Sequence, residues 1–181
     1  GPISYVWSNN QSTAVAVGLG ASTYIVTATD GNLCQAITQV TVTQPSAITT
    51  SISAQTNVLC KGAATGAATV TAAGGTVATT YTYSWNTTPA QTGATATGLV
   101  AGTYIVTVTD DNNCTSQSTV TITEPATALV ASISAQTNES CNGQSIGAAT
   151  VLATGGTVGS GYTYSWNNGA STEDIANVVA G

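Results

Sequence analysis

Few side chains in this chain could do chemistry, and their types and spacing narrow what that chemistry would be. There are four cysteines, Cys34, Cys60, Cys114 and Cys141, a single basic residue, Lys61, and no histidine or arginine. Without histidine, neither a Ser-His-Asp nor a Cys-His arrangement can form. One lysine leaves little scope for Schiff-base or phosphate-loop work. Glu173 and Asp174 are adjacent, so in a strand they would point to opposite sides, and they read as a solvated loop rather than an acid/base pair. The run Asp110-Asp111-Asn112-Asn113 offers oxygens of the kind calcium takes. The matching stretch keeps only Asp30 and Asn32, neither has an EF-hand pattern, and a plain hairpin turn is the favoured reading. With no Cys-x-x-Cys and no histidine, the cysteine spacings fit no zinc pattern. Lys61 is the sole candidate for a Lys–Asn isopeptide bond, and its counterpart after Cys141 is Asn142, so such a bond cannot be general here. The expectation is a non-enzyme with no catalytic, cofactor-binding or metal-binding residue and no cofactor.

The elements that hold these residues recur along the chain. "ASTYIVTATDGNLC" (21–34) returns as "AGTYIVTVTDDNNC" (101–114), Cys60 returns as Cys141, and Pro45 as Pro125. Trp7, Trp85 and Trp166 stand 78 and 81 residues apart. A fixed period with small drift is the signature of tandem units, the drift falling in loops where insertions cost little. Cutting after "TQP" and "TEP" gives the C-terminal part of a repeat at 1–45, a complete repeat at 46–125 and the N-terminal part of another at 126–181. Both ends therefore read as cuts through repeats, with any targeting signal out of view.

Within a unit the apolar period is two. Tyr104, Val106 and Val108 share one face, Val120 and Ile122 another, with Thr on the opposite sides. Threonine favours the strand backbone while keeping its hydroxyl in water. "GAATVTAAGG" (66–75) turns Ala68, Val70 and Ala72 inward before a Gly-Gly break, and "YTYSWN" (81–86) places Tyr81, Tyr83 and Trp85 on one face. "DDNNC" supplies turn residues between two strands. No segment carries a helical period. Six or seven short strands in about 80 residues predict an all-β fold, a tandem array of immunoglobulin-like β-sandwiches. Trp7, Trp85 and Trp166, with Tyr24 and Tyr104, are the expected structural core. Truncating such a Trp costs roughly 3–5 kcal/mol.

Each whole unit carries two cysteines, and an Ala-rich core of this size is thin enough for a covalent staple to matter. Pairing within the unit, Cys60 with Cys114, is favoured and would contribute about 4 kcal/mol by chain entropy, leaving Cys34 and Cys141 with partners outside the window. The rival scheme joins Cys34 to Cys60 and Cys114 to Cys141. Simple immunoglobulin topology sets Cys60 and Cys114 at opposite ends of the sandwich, which opposes the first scheme unless segment 54–66 doubles back. Either scheme implies an oxidising, extracytoplasmic location.

Only 4% of the residues are charged and the formal net charge is -6. Such a surface cannot neutralise a phosphate backbone, which excludes nucleic acid as a partner. No stretch approaches a membrane-spanning apolar run, and a Thr/Ser/Asn/Gln skin with few ions is typical of extracellular β-rich stalks. The ordered set Cys60, Gly74-Gly75, Tyr83-x-Trp85, Gly102-Thr103-Tyr104, Thr109-Asp110 and Cys114 resembles the SprB-type repeat of very large surface adhesins in gliding bacteria. Departures are small: Ala21-Ser22-Thr23 stands at the Gly-Thr position of the first unit, and the usual Pro after Gly-Gly-Thr is absent at Val77 and Val158. The resemblance implies an extracellular adhesin shaft, attached at the outer membrane, exported by the type IX system and moved along the cell in gliding. Implied partners are neighbouring repeats and the outer-membrane secretion and gliding machinery, with surface polysaccharide an open candidate. The alternative is a carbohydrate-binding module using Tyr5, Tyr83 and Tyr164. They share a face with Trp, which favours core packing over sugar stacking.

Overall fold

The computed structural model describes residues 1–179, so the last two residues of the expected third unit lie outside the described residues. Twelve strands run in order: β1 (Ser4–Trp7), β2 (Ser22–Thr29), β3 (Gln35–Val42), β4 (Thr49–Thr56), β5 (Gly66–Ala73), β6 (Thr82–Trp85), β7 (Thr95–Leu99), β8 (Gly102–Thr109), β9 (Thr115–Ile122), β10 (Val130–Thr137), β11 (Gly147–Thr154) and β12 (Asp174–Val178). No helix occurs among the described residues. They form four three-stranded antiparallel sheets, β1-β2-β3, β4-β5-β7, β6-β8-β9 and β10-β11-β12.

Two of these sheets make one complete sandwich. The order β4-β5-β7 over β6-β8-β9 is the A-B-E and C-F-G arrangement of an immunoglobulin domain without strand D. Alternation predicts the buried Ala68, Val70, Trp85, Val106, Val108, Val120 and Ile122 and the half-buried Ala72, Tyr81, Tyr83 and Tyr104; the structure adds Val58, Ala96 and Leu99 to the core, with Ile52 packed against it. Strands β4 and β9 run side by side in the same direction. Ser118 Oγ donates to Thr50 Oγ1 (2.8 Å) near one end, and the Val58 N–H donates to the Thr123 carbonyl (2.9 Å) near the other. β4 carries a bulge between Ile52 and Ala54, and β5 another at Gly66/Ala67. Bulges of this kind bend a strand and sharpen its twist. Gly66 allows the closest approach in the core, for a Cβ there would lie 2.7 Å from Ile122 Cγ2.

The chain divides into two compact units, one of Gly1–Ala47 with Gly74–Thr76, the other of Ile48–Ala73 with Val77–Gly181. The first holds β1-β2-β3, which matches β6-β8-β9 in register: Trp7 pairs with Val26 as Trp85 pairs with Val106, and Tyr24 with Val40 as Tyr104 with Val120. The second holds the complete sandwich and β10-β11-β12, which reproduces β4-β5-β7 down to bulges at Ile133/Ala135 and Gly147/Ala148.

Candidate functional site

The aromatic residues expected to form the core share one local design. Each Trp indole N–H donates to a carbonyl six or eight residues on, Trp7 to Thr13, Trp85 to Gly93 and Trp166 to Thr172, all at 2.9 Å. Each strand that follows the corner carries a Tyr whose hydroxyl reaches back four residues, Tyr104 to the Val100 carbonyl (3.0 Å) and Tyr24 to Gly20 (3.1 Å). The corner is thereby pinned before the strand begins. Only Trp85 is fully buried; Trp7, on β1, and Trp166, in the segment between β11 and β12, are half-buried. The tyrosines of the sugar-stacking alternative, Tyr5, Tyr83 and Tyr164, are all half-buried, and Tyr83 packs against the core. Burial raises the Tyr164 pKa, with the nearby Glu173, Tyr162 and Asp174 adding to the shift.

The Asp-Asn cluster is the hairpin turn between β8 and β9. Asp110 Oδ1 accepts from the Asn112 and Cys114 N–H groups at 3.0 and 2.8 Å, and Asn113 takes the left-handed conformation at φ 62°. Asp30 repeats this in the β2–β3 turn with Asn32 and Cys34, but there Leu33 occupies the left-handed position at φ 69°. Asp111 reaches instead to the Ala78 N–H (2.6 Å), tying the hairpin to the loop after Gly74-Gly75.

The cysteines require a correction. All four are free and exposed. Cys60 follows the end of β4, level with the end of β9 through the Val58–Thr123 bond, whereas Cys114 immediately precedes β9. The eight residues of β9 separate them, about 26 Å at ~3.3 Å per residue, while a disulfide needs Cα atoms within about 7 Å. Segment 54–66 does not double back, and the favoured Cys60–Cys114 pairing is ruled out. Cys141 holds in the third sheet the place Cys60 holds in the second, beyond the β10–β11 end where Thr137 pairs with Ala148.

The polar feature that sequence reasoning missed is a clamp where the complete repeat meets the next. Glu124 Oε2 accepts from the Gly62 N–H (2.7 Å) and Oε1 from Lys61 Nζ (3.3 Å), while Lys61 Nζ also donates to the Ala126 carbonyl (3.0 Å). The Gly62 bond first, then Lys61, hold the Glu124 carboxyl below its ordinary value. A signal was present: the one basic side chain, Lys61, lies in the loop between β4 and β5, and the acidic Glu124 lies two residues after the end of β9. Beside the clamp, a groove of about 360 Å³ is lined by Leu59, Cys60, Lys61, Leu129, Thr157 and Tyr162, among others. Among the described residues no group of three or more His, Cys, Asp or Glu could hold a metal. The arrangement can join and stiffen the end of the complete repeat.

The comparisons with known proteins bear on this architecture. Residues 52–89 and 133–171 each match the SprB repeat. Both SprB matches open at the bulge residue of the first strand of the unit, Ile52 or Ile133, and close four or five residues after Trp85 or Trp166. No curated protein matches the chain. Among solved structures it is similar to the three N-terminal domains of the bacteriophage RB49 Highly Immunogenic Outer Capsid protein (Hoc), at 15% identity and a TM-score of 0.43, over 95% of this chain and 68% of that one.

Proposed function

We propose that this SprB-repeat chain is a segment of the shaft of a long bacterial surface adhesin, a non-catalytic spacer that holds a distal adhesive region away from the cell. The observation that carries the reading is the self-contained sandwich at residues 48–125, closed by its own Trp85 core and tied to the following strand by the Lys61–Glu124–Ala126 clamp. Repeats of this kind add length without new chemistry, and each contributes its own stability. The SprB-repeat match supports an extracellular, cell-surface setting. In this reading the shaft is attached at the outer membrane, exported by the type IX system and moved during gliding, with neighbouring repeats and that machinery as its partners. A purified chain containing the complete repeat should bind nothing on a glycan array and should scatter as a rod when further repeats are added. Saturable binding to a glycan, lost on Tyr83→Ala at unchanged melting temperature, would instead establish the carbohydrate-binding alternative.

A further inference from the structure

The stretch "SISAQTN" recurs unchanged at 51–57 and 132–138, and core packing accounts only for its isoleucine in the complete repeat. Gln55 and Asn57 are exposed, yet their amides reach across to the last strand of the unit. Gln55 Nε2 donates to the Thr121 carbonyl (2.8 Å) and to Asn57 Oδ1 (2.8 Å), and Asn57 Oδ1 accepts from the Thr123 N–H (3.1 Å). The Val58 N–H donates to the Thr123 carbonyl (2.9 Å). Two side-chain amides and one backbone bond therefore join the end of β4 to the end of β9, although the strands belong to different sheets. Near the start of β4, Thr50 Oγ1 accepts from Ser118 Oγ (2.8 Å) and lies 3.4 Å from Ser116 Oγ. In β10 the same amide pair forms again, Gln136 Nε2 donating to Asn138 Oδ1 at 3.2 Å, so the strand's own sequence presets it.

We propose that this seam between β4 and β9 is the load-bearing element of the repeat, with Gln55 and Asn57 as the side chains that resist tension along the chain. The two strands run side by side in the same direction, so the chain enters the unit at Thr49 and leaves it after Ile122, at opposite ends of the pair. Tension then drags β4 and β9 past each other lengthwise, and the bonds between them are loaded together. Had the strands been antiparallel, entry and exit would share one end and the same bonds would open one after another. The assignment rests on the shaft reading for its use, because a spacer is under load only when both its ends are held. The resistance itself follows from the strand directions.

An exposed hydrogen bond exchanges with water and adds little to stability at equilibrium. Under load it acts on the rate of opening instead. Every bond of the seam is stretched before the strands can slide, so each one removed should multiply that rate by roughly 2–13-fold. Two other exposed bonds of the same sandwich serve as internal controls: the Tyr104 hydroxyl to the Val100 carbonyl (3.0 Å), and the Thr69–Thr95 hydroxyl pair between β5 and β7 (2.9 Å). Neither joins β4 to β9, so neither lies between the points where the chain pulls.

Single-molecule pulling on the whole chain, held by its two ends at constant force, tests this. Opening of the complete repeat is recognised by a contour gain of roughly 250 Å, at ~3.3–3.6 Å for each residue released, and that step also shows that a variant was folded. Gln55→Met keeps the side-chain length and removes the amide, and Asn57→Ala removes the acceptor. Each should raise the opening rate at a fixed force by roughly 2–13-fold, and the double variant by more than either. Tyr104→Phe and Thr95→Val should open at the rate of the unaltered chain. The proposal is overturned if both seam variants open no faster than the unaltered chain, or if the two controls open as fast as the seam variants. Binding on a glycan array would sink the shaft reading without altering these rates, so the two failures are told apart.

Discussion

Replacing Trp85 with Ala tests the sandwich directly, because the molecule contains its own controls. Trp7, Trp85 and Trp166 make the same indole hydrogen bond at the same 2.9 Å, so the loss of that bond is common to all three substitutions. What differs is burial: Trp85 is 1% exposed between two sheets, and the other two are half-buried. Truncating a fully buried Trp costs about 3–5 kcal/mol. Residues 48–125, at about 0.05–0.15 kcal/mol per residue, have roughly 4–12 kcal/mol in total. Trp85→Ala should therefore remove a large part of the stability of the complete repeat, while Trp7→Ala and Trp166→Ala cost distinctly less. Hydrogen exchange resolved by peptide reads each unit separately, with protection of β8 reporting the complete repeat and β2 the first unit. If Trp85→Ala costs no more than Trp7→Ala within about 0.5 kcal/mol, the two sheets do not share a core and the argument fails.

Other substitutions probe single features. Gly66→Ala would push a Cβ to 2.7 Å from Ile122 Cγ2 and 2.8 Å from the Leu99 carbonyl; it should destabilise by about 1–3 kcal/mol in urea unfolding, whereas Gly20→Ala, with open space around it, should change little. Leu33→Asn should stabilise the first unit by about 1 kcal/mol, because Leu33 sits at φ 69° where its counterpart is Asn113; slower exchange in β2 and β3 would show it. Tyr104→Phe removes only the hydroxyl that reaches the Val100 carbonyl and should cost about 0.5–1.5 kcal/mol. For Glu124, whose carboxyl is held below its ordinary value of 4.5, the folded state binds fewer protons than the unfolded one. Its contribution is present above that value and fades as the pH falls through the lowered one. Melting temperature measured down through the acid range should therefore fall less steeply in Glu124→Gln than in the unaltered chain.

The core was legible because alternation is a local rule with a tertiary consequence: once Tyr104, Val106 and Val108 share a face, only an opposing sheet can bury them. The repeat spacing then carried the same reading to Trp7 and Trp166, and the hairpin turn followed from Asp110 and Asn113 without knowledge of the sheet. Sequence spacing misled on the cysteines, for two per unit suggests a pair within it, and only the direction of β4 beside β9 shows that Cys60 and Cys114 lie at opposite ends. The Lys61–Glu124 clamp was invisible for a related reason. Its partners are 63 residues apart, and periodicity says which face a side chain takes but not which loop end it meets.

Repeat-to-repeat differences fall unevenly, and that bears on how such a chain works. Core positions keep their type, Trp7 with Trp85 and Trp166, and Tyr24 with Tyr104, while the clamp positions do not. Lys61 becomes Asn142 and Glu124 corresponds to Gln44, so the charge pair seen after the complete repeat cannot be rebuilt by either of those residues. A partly exposed ion pair is screened by salt, whereas an amide in the same place is not. A junction built on Lys61 and Glu124 should therefore loosen in high salt, while one built on Asn142 should be indifferent to it. Folding of each unit depends on its invariant aromatic centre, and stiffness along the array depends on residues free to differ. Modules can then be multiplied without each junction being equally rigid.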